Sequence, residues 1–193
     1  MSASQDVTHG AWARRAASVD GSPRFETQHV VWIQVGTCYA DVRVPFHEAA
    51  ATRCFAGRSG WDGGDRYRWH RRIDSEPFTG EDVGELSWDG GALVERGMFP
   101  TSDGEAAYVE EWVRLPGSDG PFLALEADDA CMVRAGDHAI TMLRADDGVT
   151  AVYRTRRDGS WADILTVGIA PSHGPDDPPM WPVIHRGTTE VLV

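Results

Sequence analysis

The chain has 193 residues, with 30 acidic against 18 basic side chains and a formal net charge of -12. That length suits one domain with a substantial core, and the negative charge repels phosphate backbones and anionic lipid surfaces, so nucleic acid and membranes are excluded as expected partners. Cys38, Cys54 and Cys131 share no metal-ligand spacing and cannot all pair, Met1 to Asp20 lacks the basic-then-apolar order of a leader, and no apolar run reaches the roughly 18 residues that span a bilayer, so the expected setting is the cytoplasm.

Residues 1–24 read as a weakly structured N-terminal segment, with at most a helical turn around Ala11 to Ala17. From about residue 28 the pattern becomes short β-type runs separated by turn dipeptides. Strands are expected at roughly 29–35, 38–45, 66–74, 83–88, 92–98, 106–115, 121–127, 130–134, 138–144, 149–155 and 160–167, with a short return near 188–193. Asp89-Gly90, Asp103-Gly104, Asp119-Gly120, Asp147-Gly148 and Asp158-Gly159 supply the positive φ angles that tight hairpins require, so the runs read as a meander. Phe46 to Gly57 follows Pro45, is alanine-rich and ends at a glycine, which predicts one short helix. Ile169 to Gly187 holds Pro171, Pro175, Pro178, Pro179 and Pro182 and predicts an irregular segment, with Met180 and Trp181 pinning it to the body. A meander of this length removes its two edges by closing on itself. The expected fold is therefore all-β: a single antiparallel up-and-down barrel of about ten strands over residues 25–193, with a two-sheet sandwich as the alternative.

Two strictly alternating stretches draw attention to function. Tyr39-Ala-Asp41-Val-Arg43 and Tyr108-Val-Glu110-Glu-Trp112-Val-Arg114 each place aromatic, carboxylate and arginine side chains on one strand face. The opposite face of the first stretch is wholly apolar, which is equally consistent with a solvated charged face. The second has apolar residues on both faces and reads as covered on both sides. Glu111 interrupts an otherwise apolar face, where it must find an arginine, water or a proton. Glu110, Glu111 and Arg114 are therefore the expected heart of a site.

A third strand, Tyr67 to Asp74, puts Tyr67, Trp69 and Ile73 on one face and Arg68, His70, Arg72 and Asp74 on the other. It is either a solvated face or a cationic wall in which His70 titrates and Glu95 joins from a neighbouring hairpin. Metal spacing, the serine elbow, a phosphate loop and the dinucleotide fingerprint are all missing, so no cofactor is expected. Eight tryptophans allow either core filler or an aromatic-walled ligand cavity.

Trp32-Ile-Gln34, Tyr39 to Pro45, Phe55-Ala-Gly57, Trp69-His70, Ile73-Asp74 and the Tyr108 to Arg114 row, in that order, resemble a little-characterised group of lipocalin-like (calycin-type) barrel proteins of bacteria and fungi. The resemblance spans roughly residues 30–115 and implies a lipocalin-like barrel with no established reaction. The expected function is binding of a small organic molecule in an aromatic-lined cavity, with cofactor-independent acid–base chemistry of the isomerase, cyclase or lyase type. Asp41, Glu110, Glu111, Arg43 and Arg114 are the candidate catalytic residues. Trp32, Gln34, Tyr39, His70, Glu95, Tyr108 and Trp112 are the candidate substrate-binding residues. A non-catalytic ligand-binding or protein-interaction barrel is the alternative, and a homodimer stays open.

Overall fold

The computed structural model describes residues 8–47 and 51–189, and these form fourteen strands in two layers. The first eight strands are β1 (Gly10–Val19), β2 (Gln28–Val35), β3 (Cys38–Pro45), β4 (Arg53–Trp61), β5 (Arg66–Asp74), β6 (Asp82–Asp89), β7 (Ala92–Thr101) and β8 (Gly104–Arg114). They pair in sequence as antiparallel neighbours, and β1 also pairs with β8, which closes the barrel. The remaining six are β9 (Gly120–Ala127), β10 (Ala130–Ala135), β11 (His138–Ala145), β12 (Gly148–Arg157), β13 (Ser160–Val167) and β14 (Val183–Thr189). They make a separate sheet in the order β13-β12-β11-β10-β9-β14.

The all-β expectation holds, but the single barrel of about ten strands becomes a barrel of eight with a second sheet beside it. Three segments depart from the sequence reading, one of them Val183 to Gly187, which lies in the stretch expected to be irregular and forms most of β14 on the edge of the second sheet. Within residues 1–24, Gly10 to Val19 is the strand that closes the barrel. A bulge between Arg14 and Ala16 breaks its period of two and obscures the pattern. Within the expected helix 46–57, residues 48–50 lie outside the described part and Arg53 to Gly57 belongs to β4. Here tertiary pairing overrides helix propensity. Cys54 and Ala56 point out of the barrel, Phe55 points in, and the strand is hydrogen-bonded on both sides, to β3 and β5. No helix occurs among the described residues. Of the expected return near 188–193, residues 188 and 189 end β14 and residues 190–193 lie outside the described part.

The second sheet explains why some barrel strands are apolar on their outer face. Val31, Ile33 and Val35 of β2, Cys38, Ala40 and Val42 of β3, and Cys54 and Ala56 of β4 point outward. They meet Ala124, Cys131, Val133, Ile140, Met142 and Tyr153 of the second sheet in one continuous core. Burying each large aliphatic side chain there contributes about 1.5–3 kcal/mol, which fixes the register of β2 and β3 and with it the inward direction of their alternate residues. Ionic contacts tie the layers further: Glu126 of β9 receives Arg58 at 2.6 Å and also pairs with Arg72. His138 stacks on Tyr153, with one ring nitrogen 2.7 Å from the Tyr153 hydroxyl and the other 2.8 Å from the Pro116 carbonyl.

The proline-rich segment covers the far face of the second sheet. Arg154 donates to the carbonyls of Pro171 at 2.6 Å and His173 at 2.7 Å, and Trp181 packs on Leu123, Leu125 and Met132. Trp181 is the anchor that the sequence suggests, whereas Met180 is fully exposed.

Candidate functional site

One end of the barrel is plugged. Trp12, Tyr67, Leu86 and Leu93 fill it from alternating inward positions. Gln34, Ser59, Tyr67 and Thr8 form a hydrogen-bonded chain across it, with Ser59 Oγ donating to Gln34 Oε1 at 2.9 Å. The other end is open, and from it a cavity of about 460 Å³ descends into the barrel. That is the size of a drug-sized ligand site.

Trp32, Trp69 and Trp112 are the floor, with Trp32 edge-on to both of the others at 6.0 and 5.5 Å between ring centroids. Tyr39, Asp41 and Arg43 from β3, Arg14 from β1, Arg71 from β5, Glu95 from β7, and Tyr108 and Glu110 from β8 form a belt above it. The rim carries Phe25, Pro77, Phe78, Met98, Phe99 and Pro100.

The belt is a network of buried charges. Arg43 grips Asp41 with two hydrogen bonds, at 2.9 and 3.3 Å, and reaches Glu110 at 3.6 Å. Arg14 bonds Glu110 at 2.5 Å and takes both oxygens of Glu26 at 2.8 and 3.0 Å. Arg71 bonds Asp82 at 2.7 Å and Asp74 at 3.1 Å, while its guanidinium lies 3.7 Å over the Phe55 ring. Burial of such pairs is tolerable only with this kind of geometry.

Glu95 differs from its neighbours, because neutral donors hold its carboxyl. The Tyr108 hydroxyl donates to Oε1 at 2.7 Å and Trp112 Nε1 donates to Oε2 at 3.2 Å. Burial, and after it the nearby charge of Glu110, push Glu95 up to about 8. It is therefore mainly neutral at pH 7. Burial also raises Asp41 above the usual carboxylate range, but the charge and hydrogen bonds of Arg43 oppose that and favour its ionised form. Burial keeps the Tyr39 and Tyr108 phenols protonated. The cavity thus holds two carboxyls in different settings, Glu95 between neutral donors and Asp41 against the Arg43 guanidinium. Three polar atoms of the lining, Trp32 Nε1, Tyr39 Oη and Arg53 Nε, are buried without a hydrogen-bond partner.

Two glycines create the room for Glu95. A Cβ at Gly84 would lie 2.8 Å from Glu95 Cγ, and one at Gly97 would lie 2.5 Å from Tyr108 Oη. The substitution Gly97→Ala is expected to push Tyr108 off Glu95 and cost about 1–3 kcal/mol, as overpacking and an orphaned buried group do. A denaturant midpoint unchanged by this substitution would mean that Tyr108 has another place to go.

Eight of the twelve candidates from the sequence meet in this cavity: Asp41, Arg43, Glu110, Trp32, Tyr39, Glu95, Tyr108 and Trp112. Four do not. Glu111 points outward, where Arg15 at 2.7 Å and Arg24 at 2.6 Å neutralise it. Uninterrupted alternation along β8 is the reason, and Arg14 and Arg15 of β1 follow it, Arg14 meeting Glu110 inside and Arg15 meeting Glu111 outside. Arg114 sits at the plugged end and pairs with Asp119 at 2.9 Å. Gln34 belongs to the plug, donating to the Gly36 carbonyl at 2.6 Å. His70 is exposed on the outside of β5.

Sequence reasoning missed Arg14, Arg71, Asp82 and Phe55. Arg14 and Arg71 carry a usable signal. Trp12-Ala-Arg14 and Trp69-His-Arg71 repeat the aromatic-x-arginine spacing found in the Tyr108 to Arg114 row. Arg71 keeps the inward face of Tyr67 and Trp69, and a bulge at Arg72, opposite Ala56 and Gly57, then turns Ile73 to the second sheet. Ile73 and Tyr67 do not share a face as the uninterrupted period predicts.

No family model matches the sequence, and no curated protein matches it. Among solved structures, the crystal structure of the uncharacterized protein YLR301w from Saccharomyces cerevisiae is similar, with a TM-score of 0.76 at 14% identity over 93% of this chain and 99% of that one. The likeness is one of fold. It supports the β-barrel and does not single out the lipocalin or calycin type. Among the described residues no helix is long and apolar enough to cross a membrane, and no group of three or more His, Cys, Asp or Glu side chains is placed to hold a metal ion.

Proposed function

We propose that this barrel, lipocalin-like in its use of the interior, takes up a small organic molecule and acts on it as a cofactor-independent acid–base enzyme of the isomerase, cyclase or lyase type. The observation that carries this reading is the presence, within one cavity, of Glu95 held by neutral donors and Asp41 gripped by Arg43 through two hydrogen bonds. Asp41 takes a proton from carbon, and the electron pair left behind moves onto a conjugated oxygen. Glu95 supplies the proton that this oxygen needs. Return of the proton from Asp41 at another carbon, with the oxygen's proton going back to Glu95 as the carbonyl re-forms, completes an isomerisation; departure of a leaving group that takes the Asp41 proton, with the oxygen's proton again returned to Glu95, gives a lyase outcome. Glu110 spans Arg14 and Arg43 and positions the latter, while Trp32 and Trp112 orient the substrate on the floor. Its setting in this reading is the cytoplasm.

The chemistry leaves an isotopic trace whatever the substrate is. The protein is incubated with a small-metabolite extract in deuterium oxide, and mass spectrometry identifies any compound that gains deuterium at carbon. Wild type is expected to label at least one compound well above a heat-inactivated control, with Asp41→Asn and Glu95→Gln each lowering that rate at least a hundredfold, in line with general acid–base contributions of about 10²–10⁴. Retained binding, read by tryptophan fluorescence, separates lost chemistry from lost fold. Binding without labelling by wild type would leave a non-catalytic ligand carrier.

A further inference from the structure

The walls of the cavity also select the ligand's chemistry. Trp32 Nε1 and Tyr39 Oη are buried without partners, their residues only 2% and 1% exposed, and both side chains line the cavity. They sit on adjacent strands, Trp32 opposite Asp41 and Tyr39 the next inward residue along β3. An indole N–H can only donate and a phenol donates readily, so this wall lacks an acceptor.

Charge narrows the acceptor further. The belt arginines are already engaged, Arg14 with Glu26 and Glu110, Arg43 with Asp41 and Glu110, and Arg71 with Asp74 and Asp82. At the mouth Arg53 holds half-exposed Glu76 at 3.0 Å and keeps its Nε without a partner, but beside Trp32 and Tyr39 an anionic ligand would have to displace a carboxylate from its partner in a desolvated place. An ammonium ligand offers no acceptor to Trp32 or Tyr39. What remains is an uncharged oxygen, on a body flat and apolar enough to lie against the tryptophan floor below the apolar rim.

We propose that the ligand is an uncharged, flat carbonyl or hydroxyl compound whose oxygen lodges at the Trp32–Tyr39 wall. This rests on the cavity assigned above but not on turnover. In the acid–base reading, the same oxygen is the one that gains electron density when Asp41 removes a proton, and the two donors supply the stabilisation that the belt arginines, engaged by carboxylates, leave to others.

The test uses probes that share one bicyclic body: 2-acetylnaphthalene, 2-naphthoate, 2-naphthylmethylammonium and unsubstituted naphthalene. Their binding to the full chain at pH 7 is measured by calorimetry and by quenching of tryptophan fluorescence. The ketone is expected to bind at least tenfold more tightly than either charged probe. Trp32→Phe and Tyr39→Phe, the latter removing only a hydroxyl, are each expected to weaken the ketone by about tenfold, the loss of one buried hydrogen bond. Tyr39→Phe should not change naphthalene binding by more than about twofold. The proposal falls if a charged probe binds as tightly as the ketone, if naphthalene weakens as much as the ketone in Tyr39→Phe, or if no probe binds below 1 mM, roughly -4.1 kcal/mol. Deuterium labelling of a charged compound alone would keep the acid–base reading while these probes fail. Probe selectivity without labelling would do the reverse.

Discussion

Replacing Arg43 with methionine is expected to destabilise the protein by about 3–5 kcal/mol, the usual cost of removing one partner from a buried ion pair. Asp41 is buried and depends on Arg43 for both of its side-chain hydrogen bonds, while Glu110 keeps Arg14 but loses its second cation. The size of the effect comes from the stranded carboxylate rather than from lost attraction, so the double substitution Arg43→Met with Asp41→Asn is expected to recover most of the loss. Urea denaturation of the two variants checks this. The outer pairs give the contrast. Arg24 also bonds a glutamate but is largely exposed, and Arg24→Ala should cost under about 1 kcal/mol. A loss below about 1 kcal/mol for Arg43→Met would mean that the cavity solvates Asp41 well, and the belt would then no longer be a low-dielectric site.

Glu95 is expected to make stability fall as pH rises, the reverse of the usual carboxylate. Its ordinary value is near 4.5 and its folded value about 8, so between these limits the folded protein binds a proton that the unfolded chain has released. Stability then declines by up to about 1.4 kcal/mol per pH unit through that window. The contribution is complete below pH 4.5 and lost above pH 8, a total of about 3–5 kcal/mol. Glu95→Gln keeps the shape and has no proton to lose. The difference in unfolding free energy between wild type and Glu95→Gln, followed by urea titration from about pH 5 to about pH 9, should therefore slope downward with pH and level off beyond about 8. A flat difference would show that Glu95 is ionised in the folded protein throughout, and the acid of the proposed reaction would have to be sought elsewhere.

Much of this arrangement is legible in the sequence because strand alternation survives any environment. Tyr39, Asp41 and Arg43 have to share a face, as do Tyr108, Glu110 and Trp112, and both sets do face the cavity. Which face is inside cannot be read from β3 alone. Its apolar residues, Ala40 and Val42, look like a barrel core and are in fact the surface that meets a second sheet, a layer announced only by hairpins eighty and more residues further on. Two further errors trace to bulges. One bulge in β1 hides the closing strand, and another in β5, at Arg72, turns Ile73 outward. A bulge inserts one residue without a reliable signature in composition, so a reading by period alone assigns every later residue of that strand to the wrong side. His70 shows the limit of chemical suggestion: its residue type titrates in the useful range, but its strand position puts it in solvent.

The second sheet also makes the barrel mechanically unequal. β2 and β3, which carry Trp32, Tyr39, Asp41 and Arg43, are backed by another layer, whereas β6 and β7 contribute nothing to the interlayer core. The seam between β5 and β6 pairs only from Arg66 to Trp69 against Asp82 to Glu85, and beyond it Pro77 and Phe78 complete the wall. Local opening concentrates where cross-strand bonds are few and packing is single. The barrel therefore has a stiff half, which keeps Trp32, Tyr39, Asp41 and Arg43 in register, and a compliant half, whose wall can yield without disturbing them.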